Sequence, residues 1–244
     1  MRFPRILVDG AVAFQNTEKC QRSMGIIIDA TLRVAAPELV IGAARANVAN
    51  TTHNSELWDE INQRTAEIAS STSITSLTDL PQIKALRSSY KALGKDPSRY
   101  RGSQEALLRR ILQGKPLQPI NTVVDINNLL SLESWHSVGS YDAARISSSV
   151  TFRVGLEGET YKGIGKNMIN LDGLPVFCDD DGPFGSPTSD SERAMITPAA
   201  KQVLMLIIAF SGPAELEKYL ARAAHLLETY AHANRKEMTI RIFD

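Results

Sequence analysis

An eight-residue apolar run, VLMLIIAF at residues 203–210, constrains the fold more than any other stretch of the chain. It carries no charge, and it is shorter than the roughly 18 residues that mark a membrane-spanning helix. A run of this length is typical of a buried strand or of a short buried helix. Pro213 then opens the longest predicted helix, which carries a regular apolar stripe: Leu216, Leu220, Ala223, Leu227 and Tyr230. We predict that the run is the most deeply buried strand of the protein.

The order of the other predicted elements indicates the fold class. Residues 25–30 and 38–49 are rich in Ile, Val and Ala and are predicted strands. Helical patterns lie together between residues 55 and 114 and return at 213–233. Residues 150–165 alternate in polarity around a Glu-Gly pair, which predicts a β-hairpin. Because helices and strands do not alternate regularly, the pattern favours an α+β fold over a doubly wound sheet.

Composition sets the class and the boundaries. Hydrophobic residues make up 43% of the 244 and charged residues 22%, as in ordinary soluble globular proteins. Without an internal repeat or a linker, residues 25–244 are predicted to form one domain and residues 1–24 an extension outside the fold. Either Met1 or Met24 is compatible with this pattern as the start of translation. The two cysteines, Cys20 and Cys178, form no framework and favour a reducing, cytoplasmic location.

Charge and motifs exclude several functions. Lys plus Arg and Asp plus Glu both number 27, and this balance argues against DNA binding through a broad basic surface. Neither a phosphate-binding loop of the Walker type nor a Gly-x-Ser-x-Gly elbow occurs, so we expect no cofactor. CDDDG at residues 178–182 is more typical of a solvated turn than of a metal site. The candidates for a local basic face are Arg99, Arg101, Arg109, Arg110 and Lys115.

Three motifs occur in a fixed order: NTVVDINN at 121–128, YDAARI at 141–146 and NLDG at 170–173. In this order they resemble the tRNA-binding B3/B4 domain of the phenylalanyl-tRNA synthetase β subunit. More closely, the chain resembles stand-alone proteins made of that domain, over roughly residues 25–240. The resemblance implies mixed, largely antiparallel sheets packed with helices. It also implies an editing module, which hydrolyses the ester of tRNA wrongly charged with tyrosine. The parts of the synthetase that charge tRNA have no room here.

The editing groups of that family are not kept. The family has a threonine where this chain has Asn127, a histidine where it has Gly139, and a glutamate near Leu206. The Phe-Asp pair that follows the family's histidine corresponds to Tyr141-Asp142. His136 lies three residues before the position of the family's histidine. It is therefore either a replacement for that histidine or an ordinary loop residue.

Hydrolysis of an aminoacyl ester requires a positioned water, donors to the developing oxyanion and exclusion of bulk solvent. His136 and Glu192 are the predicted catalytic groups, because a general base is useful for this reaction. The polar segment SPTSDSE, residues 186–192, corresponds to the rim of the family's pocket. The predicted substrate-binding residues are Asn127, Asn128, Gly139, Asp142, Gly185, Ser186, Thr188, Ser189 and Asp190.

Structural roles explain several of these residues equally well. SPTSDSE is also typical of a polar surface turn or of a segment that caps a helix. Asp125 and Asp142 each end an apolar run, where a carboxylate usually accepts bonds from backbone N–H groups.

Two functions therefore stay open from the sequence. The first is hydrolysis of misacylated aminoacyl-tRNA in trans, without aminoacylation, by a cytoplasmic protein that binds the 3′ end of tRNA. The second is a non-catalytic module that binds an amino-acid-like ligand or an RNA end. A structural or regulatory partner of a synthetase is a weaker third option. No membrane partner is expected, and neither the amino acid nor the oligomeric state follows from the sequence.

Overall fold

The computed structural model describes residues 25–147 and 149–244, and the predicted extension, residues 1–24, lies outside the described residues. The helices are α1 (Ala30–Ala35), α2 (Ser55–Ser71), α3 (Pro81–Ala92), α4 (Ser103–Leu112), α5 (Thr122–Ser134) and α6 (Leu216–Ala231). The strands are β1 (Ile26–Ile28), β2 (Val40–Asn47), β3 (Ser137–Asp142), β4 (Val150–Val154), β5 (Thr160–Lys162), β6 (Met168–Asn170), β7 (Pro175–Asp179), β8 (Gly182–Gly185), β9 (Gln202–Ala209) and β10 (Thr239–Phe243). None of the helices in these residues is long and apolar enough to cross a bilayer.

The apolar run lies in β9, inside a four-stranded sheet of order β10-β2-β9-β3 in which all neighbours are antiparallel. Val203 and Met205 pack on the side of helices α2, α5 and α6. Leu204 and Leu206 pack on the other side, against a second sheet. Because both faces of β9 are covered, every side chain after Gln202 along this strand is apolar. The prediction of a deeply buried strand is confirmed.

The second sheet has the order β1-β4-β7-β8. β1 and β4 run parallel, whereas the other neighbours are antiparallel. Phe152 of β4 stacks on Phe177 of β7 with ring centroids 4.0 Å apart, in the core shared with β9. The sheets are therefore mixed and largely antiparallel, and they are packed with helices. This confirms the predicted α+β class.

The predicted hairpin at residues 150–165 is wrong in its pairing. The turn is present, and Gly158 adopts the left-handed conformation there with φ +74°. However, β4 on one side pairs with β7, and β5 on the other side pairs with β6. Val150 and Phe152 are buried between the two sheets. Burial of β4 in the core therefore decides the pairing, and the local turn signal does not.

Asparagine side chains cap the starts of α2 and α5. Asn54 accepts a hydrogen bond from the Leu57 N–H at 3.0 Å and caps α2, as expected for an asparagine just before a helical pattern. Asn121 does the same for α5, accepting from the Val124 N–H at 3.1 Å. The sequence did not predict α5, which carries the NTVVDINN motif. It ends at Trp135, whose φ of 59° turns the chain into β3.

Candidate functional site

The segment Ser186–Asp190, which we call the site loop, follows β8 and folds around one hydroxyl group. The Ser186 hydroxyl accepts hydrogen bonds from the backbone N–H groups of Thr188, at 3.3 Å, and Ser189, at 3.0 Å. It donates to the Ser189 carbonyl at 2.8 Å. These local bonds are typical of a serine-centred turn. The predicted polar turn is therefore present, and its shape is fixed from within.

Three tyrosine hydroxyls from three different elements bind the site loop. Tyr90 of α3 bonds the Thr188 hydroxyl at 2.6 Å, and Tyr161 of β5 donates to the Ser189 carbonyl. Tyr141 of β3 donates to Asp190 Oδ1 at 2.9 Å. Burial raises the pKa of all three tyrosines well above the usual value, so they stay protonated at neutral pH. The loop is therefore held on three sides by hydrogen bonds to neutral tyrosine hydroxyls.

Pro187 joins the site loop to α4. Its carbonyl accepts a bond from the Ser103 N–H, at 2.7 Å, at the first turn of that helix. The Ser137 hydroxyl lies 3.2 Å from the same carbonyl and also bonds the buried Gln104 side chain. The start of α4 and the start of β3 therefore position the loop.

Asp190 uses only one of its two carboxylate oxygens in hydrogen bonds to the described residues. Its Oδ1 accepts from Tyr141 and from the Ser186 N–H at 3.1 Å. Its Oδ2 has no hydrogen-bond partner in residues 25–147 and 149–244, and the side chain is half-buried. Burial raises the pKa of this carboxyl to about 6, although the bond from Tyr141 and the nearby Lys166 ammonium oppose the shift. Lys166 itself bonds the Ser189 hydroxyl at 3.0 Å.

Tyr141 fills the space where the family's histidine would stand. A side chain added at Gly139 or at Gly185 would clash with the Tyr141 hydroxyl. Leu206, near the position of the family's glutamate, lies directly opposite Gly139 in the sheet. The phenol ring therefore requires glycine at two predicted site positions at once.

His136 does not reach the site loop. It is buried, and its ring contacts Tyr219 of α6 edge-on, with centroids 6.3 Å apart. Burial lowers the pKa of the imidazole to about 4, although the carboxylate of Glu215 partly opposes the shift. The ring is therefore neutral at physiological pH and lies on the helix side of the central sheet.

Glu192 is engaged in a surface ion pair. Its carboxylate lies 2.9 Å from the Lys162 ammonium of β5, at the start of a short 3-10 turn, Glu192–Ala194. The Ser191 hydroxyl caps that turn by accepting from the Arg193 N–H at 3.2 Å. This end of SPTSDSE thus serves the capping role that the sequence offered as an alternative.

The remaining predicted residues lie on the other face of β3. The Ser140 hydroxyl donates to Asn127 of α5 at 2.9 Å, and neighbouring strand residues point to opposite faces. Asn128 is half-buried on the same helix. Asp142 accepts from the Ala144 N–H at 3.1 Å, which confirms its predicted capping role. The structure therefore brings together five of the predicted residues with Gly139: Gly185, Ser186, Thr188, Ser189 and Asp190.

The two acidic segments singled out in the sequence have structural partners. Asp125 accepts from the Ile120 N–H at 3.1 Å and from the Trp58 indole at 2.8 Å. CDDDG forms the turn between β7 and β8, where Asp179 holds the Arg193 guanidinium at 2.7 Å. The turn interpretation of CDDDG is confirmed. Among the described residues, no group of three or more His, Cys, Asp or Glu side chains is arranged to hold a metal ion.

These features define a class of protein, an α+β domain with a clamped polar loop at the edge of two packed sheets. A family model described as the B3/4 domain matches residues 85–232, which is more than half of the chain. The chain belongs to the B3/4 domain family.

Relatives of this domain occur inside much longer proteins. The phenylalanine–tRNA ligase beta subunit of Brucella abortus is 29% identical over 83 residues, 34% of this chain and 10% of that protein. The beta subunit of Paramagnetospirillum magneticum is 30% identical over 83 residues, with the same coverage. An N-terminal fragment of the phenylalanyl-tRNA synthetase beta subunit from Pyrococcus horikoshii aligns with 90% of this chain and 50% of its own, with a TM-score of 0.45 and 13% identity. This chain spans about a tenth of the length of the ligase subunits.

Proposed function

We propose that this B3/4 protein hydrolyses misacylated aminoacyl-tRNA in trans and does not charge tRNA by itself. One observation carries the proposal. Asp190 presents a free carboxylate oxygen with a raised pKa, on a loop whose other groups are fixed by hydrogen bonds. A carboxylate with a pKa near 6 is ionised at pH 7, yet it is a stronger base than an ordinary aspartate. Such a group suits the deprotonation of a water molecule.

In the proposed reaction, water attacks the carbonyl carbon of the aminoacyl ester and Asp190 Oδ2 takes its proton. The Lys166 ammonium, which bonds the Ser189 hydroxyl, is placed to stabilise the negative charge that develops on the carbonyl oxygen. The bond from the carbonyl carbon to the terminal ribose oxygen then breaks. That oxygen receives the proton from Asp190, so free amino acid and tRNA are released.

His136 and Glu192 have other roles in this proposal. The imidazole is packed on Tyr219, and the Glu192 carboxylate is paired with Lys162. Within residues 25–147 and 149–244, neither side chain makes a hydrogen bond or an ion pair with the site loop. The general base is therefore assigned to Asp190, which the sequence placed among the substrate-binding residues.

One observation favours the second candidate function, a non-catalytic module for an amino-acid-like ligand or an RNA end. The Tyr141 phenol occupies the space beside Gly139, where the family has a histidine. A site filled in this way has less room for a substrate side chain. Saturable binding of a non-hydrolysable aminoacyl-adenosine analogue, without turnover of any ester, would identify this function.

Deacylation of a panel of radiolabelled aminoacyl-tRNAs, correctly charged and mischarged, tests the first proposal. We expect selective release of at least one aminoacyl group, slowed about 100-fold or more in Asp190→Asn, the usual loss for a general base. His136→Gln and Glu192→Gln are the matched controls and should stay within a few-fold of wild type. The rate should rise tenfold per pH unit below about pH 6 and level off above it, following the pKa of Asp190. Rates equal to buffer across the panel would refute hydrolysis.

A further inference from the structure

Several arginines surround one buried carboxylate near the site loop. The Glu105 side chain of α4 is only 1% exposed, and Arg87 Nη1 lies 3.2 Å from both of its oxygens. Arg109 Nε donates to Oε1 at 2.8 Å. Arg101 Nε lies 3.9 Å from the same oxygen. We call Arg87, Arg101, Arg109 and Glu105 the arginine cluster.

The arginine cluster carries an excess of positive charge. One carboxylate balances only one of its three guanidinium groups. Asp96 and Arg99 interact electrostatically beside the cluster and cancel each other, so the local net charge is +2. A pair that served only to neutralise buried Glu105 would need a single arginine. The additional guanidinium groups repel one another, and the shared carboxylate holds them together.

The outward nitrogens of the cluster are available to a ligand. The Arg101 and Arg109 side chains are 47% and 27% exposed. Within the described parts of the chain, 25–147 and 149–244, their Nη atoms make no hydrogen bond. The planar guanidinium fork matches phosphate oxygens in two parallel bonds, which makes arginine a preferred phosphate ligand. The Arg109 fork, oriented by its bond to Glu105, and the exposed Arg101 fork beside it therefore form a site for phosphate.

We propose that the arginine cluster binds phosphate groups of the RNA backbone a few nucleotides from the 3′ end. The choice of RNA as the ligand rests on the proposed function. Ser103, the first residue of α4, donates to the Pro187 carbonyl of the site loop at 2.7 Å. Glu105 follows two residues later on the same helix. At about 1.5 Å per helical residue, Glu105 lies roughly 3 Å along the helix axis from Ser103, and Arg109 roughly 9 Å. An RNA end in the site loop would therefore place its preceding phosphates at the cluster.

Fluorescence anisotropy with a 5′-fluorescein single-stranded RNA of 12 nucleotides ending in CCA tests this site. The variant is Arg101→Gln combined with Arg109→Gln, which leaves Arg87 to pair with Glu105. We expect about tenfold weaker binding at 0.1 M salt, and a log–log salt slope that is smaller by about 1.4 for two lost phosphate contacts. Arg101→Gln alone removes an exposed side chain and should lower the slope by about 0.7.

Arg110→Gln is the matched control on the same helix, because Arg110 bonds the Pro116 carbonyl and not Glu105. It should bind the RNA within twofold of wild type. Equal affinity of wild type and the double variant, with both folded by circular dichroism, would overturn the proposal. A phosphate-dependent rise in melting temperature that requires Arg101 and Arg109, together with unchanged RNA binding, would assign the cluster to free phosphate and also overturn it.

Failure of this site and failure of the proposed function give different results. In an Asp190→Asn background, which should slow hydrolysis, Arg101→Gln combined with Arg109→Gln should still weaken RNA binding about tenfold, because Asp190 is outside the arginine cluster. Arginine-dependent RNA binding by a wild type that hydrolyses no ester would refute the proposed hydrolysis and support the phosphate site. If the double variant hydrolyses the ester and binds RNA as wild type does, the result would support the proposed hydrolysis and refute the phosphate site.

Discussion

Replacement of Asp190 by asparagine should stabilise this protein at neutral pH. Burial raises the pKa of the Asp190 carboxyl to about 6, whereas an aspartate in an unfolded chain has a pKa of about 3.9. The folded state therefore binds this proton more tightly than the unfolded state. By linkage, the contribution of Asp190 to the free energy of unfolding falls as the pH rises from about 4 to about 6 and stays low above that. A shift of about two units corresponds to about 3 kcal/mol.

The asparagine keeps the shape and the acceptor oxygen that Tyr141 and the Ser186 N–H use, but it removes the charge. We expect Asp190→Asn to exceed wild type by about 1–3 kcal/mol in free energy of unfolding at pH 7.5. The difference should shrink by that amount near pH 4, where the wild-type carboxyl is neutral in the folded state. Urea unfolding of both proteins at the two pH values measures this change.

Asp179 provides a control of opposite sign. Burial opposes its ionisation, but hydrogen bonds from Arg193 prevail and hold the pKa of the carboxyl below its usual value. Its stabilisation is therefore present above the unfolded pKa and is lost as the pH falls. Asp179→Asn should be less stable than wild type by about 1.5–3 kcal/mol at pH 7.5, with a smaller deficit in acid. A deficit for Asp190→Asn at pH 7.5, or a difference independent of pH, would refute the reasoning for Asp190.

Two further predictions use the same unfolding assay. Gly139→Ala should lower the free energy of unfolding by about 1–3 kcal/mol, because the added methyl group meets a buried phenol, whereas Gly25→Ala has open space and should be near neutral. A fully stable Gly139→Ala would contradict this packing. Burial holds the pKa of His136 at about 4, so its neutral form stabilises the fold above pH 6.5, and up to about 3 kcal/mol is lost as the pH falls to 4 and below. His136→Gln should lack that loss, and identical pH profiles would show that the ring is accessible to water.

Local signals were sufficient where one feature decides the structure. Asn54 caps its helix because the side chain reaches an N–H group three residues ahead, which the sequence alone displays. The apolar run in β9 is predicted to be buried from its composition alone, without knowledge of the elements that pack on it. In contrast, α5 buries Val123, Ile126, Leu129 and Leu130, and polar residues such as Ser131 are buried with them. A helix that is covered on most sides lacks distinct apolar and polar faces. Its sequence therefore did not show the 3.6-residue period that indicates a helix.

The site was foreseen only in part, because its contacts are distant in sequence. The loop residues were predicted from their polarity together with the resemblance to the B3/B4 domain. Their partners Tyr90, Tyr141 and Tyr161 lie 98, 49 and 28 residues away from the groups they bond, so no spacing pattern connects them. His136 illustrates a second reason. It precedes Gly139 by three residues, and an odd offset along an extended chain places a side chain on the opposite face.

The residues around the Tyr141 ring depend on one another. The Tyr141 phenol fits only because positions 139 and 185 are glycine, and its hydroxyl bonds Asp190. A phenylalanine at position 141 would fill the same space without requiring a polar partner. The chain instead keeps a carboxylate whose burial raises its pKa and reduces the stability of the fold at neutral pH. A group retained against stability in a fixed, partly open loop is better explained by chemistry than by packing, and this supports an active site rebuilt around Asp190.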